Sequence, residues 1–114
     1  MSNVAKNIKN FRTFRGLSQQ ELGNMVGRTF NVISNWEIGK NSPDPDSIEL
    51  ICKALNVTPN ELFGWSENTE FLEYLSKKEK ITLEIDKISK IKKTLDEQLT
   101  MYYDELEKIK KHSG

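Results

Sequence analysis

An all-α fold is predicted by three features of this sequence. Helix-start signals recur along the first half: Ser18 with Glu21, Thr29, Asp44 with Pro45, and Thr58 with Pro59 and Glu61. Each sets a side-chain oxygen where it can accept the free N–H groups of a first turn, ahead of apolar residues at helical spacing. No stretch alternates convincingly between apolar and polar residues, as a half-buried strand would. From Glu67 to Ser113 there is neither glycine nor proline, and apolar residues recur there in steps of three and four.

The elements follow in order. Ser2 or Asn3 can cap a first helix whose inner face is Val4, Ile8 and Phe11, and Gly16 ends it. A second helix runs from about Gln19 to Val26 behind the Ser18–Glu21 capping box. Leu22, Met25 and Val26 form its apolar face, and Gly27 supplies the left-handed residue that closes it. Thr29 caps a third helix over Phe30 to Trp36. Ile33 and Trp36 mark its buried side, which leaves Phe30, Asn31, Ser34 and Asn35 pointing out. The turn-rich loop from Gly39 to Pro43 leads to Asp44 and Pro45, N-cap and first-turn proline of a fourth helix. Its inner face is Ile48, Ile51, Cys52 and Leu55. Thr58, Pro59 and Glu61 start a short fifth helix carrying Leu62 and Phe63, closed by Gly64.

Composition changes after Ser66, which divides the chain into an N-terminal domain over 1–66 and a helical oligomerisation segment over 67–114. Phe71, Tyr74, Ile81, Ile85, Ile88, Leu95, Leu99, Tyr102, Leu106 and Ile109 keep the three–four repeat, interrupted only by Lys78 and Lys92. Such a repeat narrows the apolar stripe to a coiled-coil seam. Ile85, Leu99 and Leu106 take a positions; Ile81, Ile88, Leu95, Tyr102 and Ile109 take d positions. Forty helical residues span about 60 Å, too long to hide the stripe on so small a domain. The interface is therefore expected to bury Tyr74, Ile81, Ile85, Ile88, Leu95, Leu99, Tyr102, Leu106 and Ile109 between chains. Ser76 with Glu79 has the spacing of a further capping box, so the segment can also be read as a short helix ending near Leu75 and a longer one beginning near Lys77. Parallel and antiparallel pairing both stay open, as do dimer and tetramer; Glu105 at g facing Lys110 at e is a slight argument for parallel.

The 114 residues carry 17 basic and 17 acidic side chains, so net charge alone does not point to nucleic acid. Its distribution is uneven. Met1 to Pro43 holds six basic residues against two acidic, and Asp44 to Ser66 one against four. Cys52 is the only cysteine, sits in an apolar run and reads as a small buried residue. No apolar run approaches the ~20 residues of a membrane span, and no apolar core of a signal peptide is visible, so a cytoplasmic location is expected. No enzyme constellation is present. His112 is the only histidine, no Cys, His or carboxylate cluster has metal-ligand spacing, and no phosphate-binding glycine loop occurs. Neither a metal nor another cofactor is expected.

Two short helices about a glycine turn, the second with amide side chains exposed, suit an element that enters the DNA major groove. Asparagine can pair bidentately with adenine, and an aromatic ring can touch a thymine methyl. The segments LSQQEL, SNWEIGK, SPDPDSIELICKALNV and TPNELF, in this order and spacing, resemble the Cro/XRE family of helix-turn-helix repressors of bacteria and phages. The resemblance covers about Ile8 to Phe63. It implies a five-helix lambda-repressor-like domain, here followed by a long C-terminal coiled-coil helix, in a bacterial or phage-encoded, nucleoid-associated protein. It implies base contacts from Phe30, Asn31 and Asn35, although a polar residue is more usual at the first. Contacts to the DNA backbone would come from Gln19, Arg28, Thr29, Ser34, Lys40 and Asn41. Arg12 and Glu37 match a structural ion pair of the family. Gly23 stands where relatives often carry alanine, at a close helix crossing; glycine also fits, at ~1 kcal/mol of helix propensity.

The expected function is a sequence-specific transcriptional regulator, a repressor of a palindromic operator, acting on double-stranded DNA as a homodimer or higher homo-oligomer. Half-sites about one helical turn apart, ~34–36 Å, would suit it. The alternative is an antitoxin or antirepressor-like module whose C-terminal helix captures a protein partner. A repressor carrying its own protease domain is not expected, because the tail reads as one helical pattern.

Overall fold

The computed structural model describes residues 3–113, and their regular structure is helical throughout. The order is α1 (Val4–Phe14), α2 (Gln19–Val26), α3 (Phe30–Glu37), α4 (Pro45–Leu55), α5 (Pro59–Phe63) and α6 (Thr69–Ser113). The start signals act as local chemistry requires. Ser18 Oγ accepts the Glu21 N–H at 3.0 Å while Glu21 Oε1 accepts the Ser18 N–H at 3.2 Å. Thr58 and Glu61 repeat the exchange at 3.1 and 2.8 Å. Asp44 Oδ1 accepts the Ser47 N–H at 2.7 Å, with Pro45 in the first turn. At α1 the expectation is only half met: Asn3 holds the N-cap position but its side chain makes no capping bond, and Ser2 lies outside the described residues.

The core draws on all five short helices. Ile8, Leu22, Ile33, Ile51, Leu55 and Leu62 have no solvent exposure, and Val4, Phe11, Val26, Trp36, Cys52 and Val57 complete the cluster. Met25 departs from the expected inner face of α2, being 53% exposed. The buried side of α2 is Leu22, Gly23 and Val26, rotated toward Gly23 because the chain entering α3 presses there. A Cβ on Gly23 would stand 2.5 Å from the Arg28 carbonyl oxygen. Glycine at this crossing is therefore demanded by a backbone contact and is not merely tolerated.

The first compact unit extends through Tyr74, past the change in composition at Ser66. Phe71 packs its ring 4.8 Å from Phe11 and 5.4 Å from Phe14, centroid to centroid, and Tyr74 lies 4.9 Å from Phe14. Tyr74, expected on the inter-chain stripe, is thus half-buried within the N-terminal unit. The second unit, from Leu75 onward, is helix whose described side chains are all exposed. The possible break near Ser76 does not occur. α6 continues through it, since an N-cap needs a non-helical backbone that neither neighbouring turn provides.

Candidate nucleic-acid interface

α3 carries the candidate reading surface. At 3.6 residues per turn, Phe30, Ser34, Asn31 and Asn35 fall within an arc of about 140°, opposite Ile33 and Trp36. Phe30 is 48% exposed, an unusual setting for a large ring at the start of a helix. Asn31 is exposed, and Ser34 and Asn35 are half-buried. Among the described residues no side-chain hydrogen bond engages the Asn31 or Asn35 amides, which leaves both donor and acceptor groups available to a ligand. Thr29 caps the helix, its Oγ1 accepting the Val32 N–H at 3.4 Å. The helix is seated by Ile33 and Trp36, so its outer face is presented on a fixed support.

The expected ion pair is formed and is deeper than a surface contact. Arg12 Nε donates to Glu37 Oε2 at 2.6 Å and Nη2 to Oε1 at 3.0 Å. The Glu37 side chain is 2% exposed and that of Arg12 13%. Arg12 Nη1 also donates to the Leu17 carbonyl at 2.7 Å. A third donor was not anticipated: Gln19 Nε2 reaches Glu37 Oε1 at 3.0 Å. Gln19, expected to meet phosphate, thereby has one amide proton committed inward and one left to donate outward. The cluster ties α1 and the start of α2 to the end of α3.

The basic residues divide into two groups. Arg28, expected at the DNA backbone, is half-buried and has partners within the domain: Nη2 donates to Ser47 Oγ at 3.1 Å and Nη1 to the Gly27 carbonyl at 3.2 Å. Ser47 is buried at the start of α4, so Arg28 anchors the turn between α2 and α3 onto α4. Nothing in the sequence marks Ser47 as its acceptor. Arg15 also works internally, donating to the carbonyls of Leu55 at 2.7 Å and Asn56 at 3.2 Å and pairing with Glu70 at 2.8 Å. It satisfies carbonyls left free where α4 ends, a role that its place in a basic segment did not reveal. Lys6, Lys9 and Lys40 stay exposed. Lys40 and Asn41 follow α3 on a loop drawn back to it, both backbone N–H groups donating to the Asn35 carbonyl at 2.9 and 3.4 Å. They are therefore held near the reading arc.

Among the described residues three titratable groups are perturbed, Asp44, Cys52 and the capping carboxylate Glu61, the last lowered first by its hydrogen bond to the Thr58 backbone. The Asp44 carboxyl is held below the ordinary range, first by the Ser47 hydroxyl, then by the Ser47 N–H, with Arg28 adding to both. Burial, reinforced by the Glu61 charge, pushes the Cys52 thiol up, away from the reactive thiolate. Among the described residues no group of three or more His, Cys, Asp or Glu could hold a metal ion. No described helix is long and apolar enough to cross a membrane.

Comparison with known proteins agrees with this geometry. A helix-turn-helix family model matches residues 8–62. The P22 c2 repressor, solved in complex with a synthetic operator, is similar at 30% identity and a TM-score of 0.51, over 53% of this chain and 91% of that one. Antitoxin PezA of Streptococcus pneumoniae is 34% identical over 61 residues, which is 54% of this chain and 39% of PezA. The transcriptional activator BcrR of Enterococcus faecalis is 33% identical over 60 residues, 53% of this chain and 29% of BcrR. The chain thus spans less than half the length of these two curated relatives.

Proposed function

This chain belongs to the Cro/XRE-type helix-turn-helix family, and on that premise we propose that it is a sequence-specific regulator of transcription, a repressor that reads a palindromic operator as a homo-oligomer. The observation that carries the reading is the outer arc of α3, where Asn31 and Asn35 hold unengaged amides beside the exposed ring of Phe30. These three residues contact base edges. Ser34 within the arc and Gln19, Thr29, Lys40 and Asn41 beside it position the phosphates; Arg28 supports the turn between α2 and α3. Contacts to phosphate fix register, and contacts to bases select sequence. The exposed stripe of α6 joins the chains. Two linked readers gain from effective concentration, and occupancy of a promoter excludes polymerase.

Binding to duplex DNA should weaken steeply as salt rises, because each phosphate contact releases counterions. Asn31→Ala or Asn35→Ala should lose ~1–3 kcal/mol of discrimination at one base position, while Lys40→Ala should weaken all sequences alike. Uniform loss from Asn31→Ala with altered base preference from Lys40→Ala would invert this docking.

The likeness to an antitoxin favours a second reading, in which α6 captures a different protein. A self-association constant too weak to pair α6 with itself at micromolar concentration would favour it.

A further inference from the structure

The second unit leaves an apolar stripe in the open, interrupted at Lys92: Ile85, Ile88, Leu95 and Leu99 are 53–63% exposed. We propose that this stripe is covered by α6 of a second copy running antiparallel, in the register that sets Ile85 of one chain against Leu95 of the other and Ile88 against Lys92. The proposal rests on the homo-oligomer reading above and specifies its geometry.

The two lysines within the seam carry the first argument. Lys78 and Lys92 occupy a positions. In a parallel pair each a residue meets its own copy, which would place two like-charge layers inside an apolar seam. In an antiparallel pair a positions face d positions. Lys92 then lies beside Ile88, and Lys78 beside Tyr102. Their aliphatic stems cover apolar surface while the ammonium groups stay in water.

The flanks carry the second. Antiparallel helices bring g opposite g and e opposite e. In this register Lys77 of each chain faces Glu105 of the other, an attractive pair repeated by the two-fold axis. Ile91 meets Ile91 at that axis, and Leu75 meets Tyr103. These three apolar residues lie outside the a–d seam and are 60%, 40% and 61% exposed, so the pairing also accounts for apolar side chains that a bare seam leaves in water. No like charges meet. Sliding to the neighbouring register, with Ile88 against Leu99, opposes Glu84 to Glu105 on both sides. Parallel pairing gains only Glu105 with Lys110 and sets Ile91 against Asp96.

The two chains then enter the seam about 45 Å apart along its axis, at 1.5 Å per residue.

Pulsed electron paramagnetic resonance tests this. A nitroxide is placed on Asp104→Cys, an exposed position on the outer face of α6, in the full chain carrying Cys52→Ala. The antiparallel register predicts an inter-label distance of about 45 Å, the neighbouring register about 37 Å, and a parallel pair about 20 Å. Either shorter distance overturns the proposal and leaves homo-oligomerisation standing. A monomeric sedimentation mass for the same sample overturns the oligomer reading itself, and the orientation with it. Lys77→Glu and Glu105→Lys should each raise the dimer dissociation constant about ten-fold, and the double exchange should restore it. In a parallel pair Lys77 faces Thr82, so a neutral Lys77→Glu would contradict the antiparallel seam.

Discussion

Arg12 and Glu37 meet in a two-bond pair whose carboxylate is almost wholly enclosed, with Nε to Oε2 at 2.6 Å and Nη2 to Oε1 at 3.0 Å. One end stands on α1 and the other closes α3, so the pair sets the angle at which the outer arc of α3 is offered. Gln19 adds a third bond to the same carboxylate at 3.0 Å. A fully bonded buried pair gives orientation more surely than it gives net stability.

Removing one partner is a different matter, because the other charge remains enclosed. Glu37→Ala should destabilise the protein by about 3 kcal/mol, the low end for a broken buried pair given the residual exposure of Arg12. Urea unfolding reads this as a lower midpoint. A change within about 0.5 kcal/mol would mean that the pair behaves as a surface contact.

Gly23→Ala sets two effects against each other. Alanine gains ~1 kcal/mol of helix propensity, but its Cβ would lie 2.5 Å from a backbone oxygen that belongs to the turn into α3. Relieving such a contact costs about 1–3 kcal/mol, so the net effect should be loss of thermal stability. A higher melting temperature for Gly23→Ala would show that α2 and the turn separate freely.

Truncation should distinguish the boundary in composition from the boundary in packing. A chain ending after Tyr74 keeps the ring cluster of Phe11, Phe14, Phe71 and Tyr74. A chain ending after Ser66 loses two of its members. The shorter form should melt lower, being less stable by roughly 1.5–4.5 kcal/mol at ~0.5–1.5 kcal/mol for each of the three ring pairs made with Phe11 and Phe14. Equal melting of the two would remove Phe71 and Tyr74 from the N-terminal unit.

What the sequence made legible was local. Ser18 with Glu21, Asp44 with Pro45, and Thr58 with Glu61 announce helix starts by chemistry confined to one turn, and each appears where expected. The core positions of five short helices followed from periodicity, except Met25, whose exposure depends on which side of α2 the next helix approaches. Long-range partners were out of reach. A basic side chain in a basic segment reads as surface, yet Arg15 and Arg28 bind carbonyl and hydroxyl oxygens 19 to 41 residues away. Tyr74 fitted the three–four repeat equally well in the seam or in the domain, and only packing against Phe14 decides between them.

Acid should act through the helix caps. Asp44 is held below its ordinary range in the folded protein, so the stability it contributes is present above the unfolded value, about 3.9, and is lost as pH falls through the lowered folded value. Asp44→Asn keeps a capping oxygen without that titration. Its melting temperature should fall less steeply than that of the unaltered chain between about pH 5 and about pH 2. Parallel curves would assign acid sensitivity elsewhere, Glu61 being the next carboxyl lowered by its cap hydrogen bond.

The central claim is that the outer face of α3 reads DNA sequence, and selection of bound duplexes from a random pool measures it directly. Repeated rounds at moderate salt should enrich a two-fold sequence whose base preferences shift with Asn31→Ala and Asn35→Ala and are unchanged in kind by Lys40→Ala. A pool that stays random after selection, or an enriched motif indifferent to both asparagines, would contradict it.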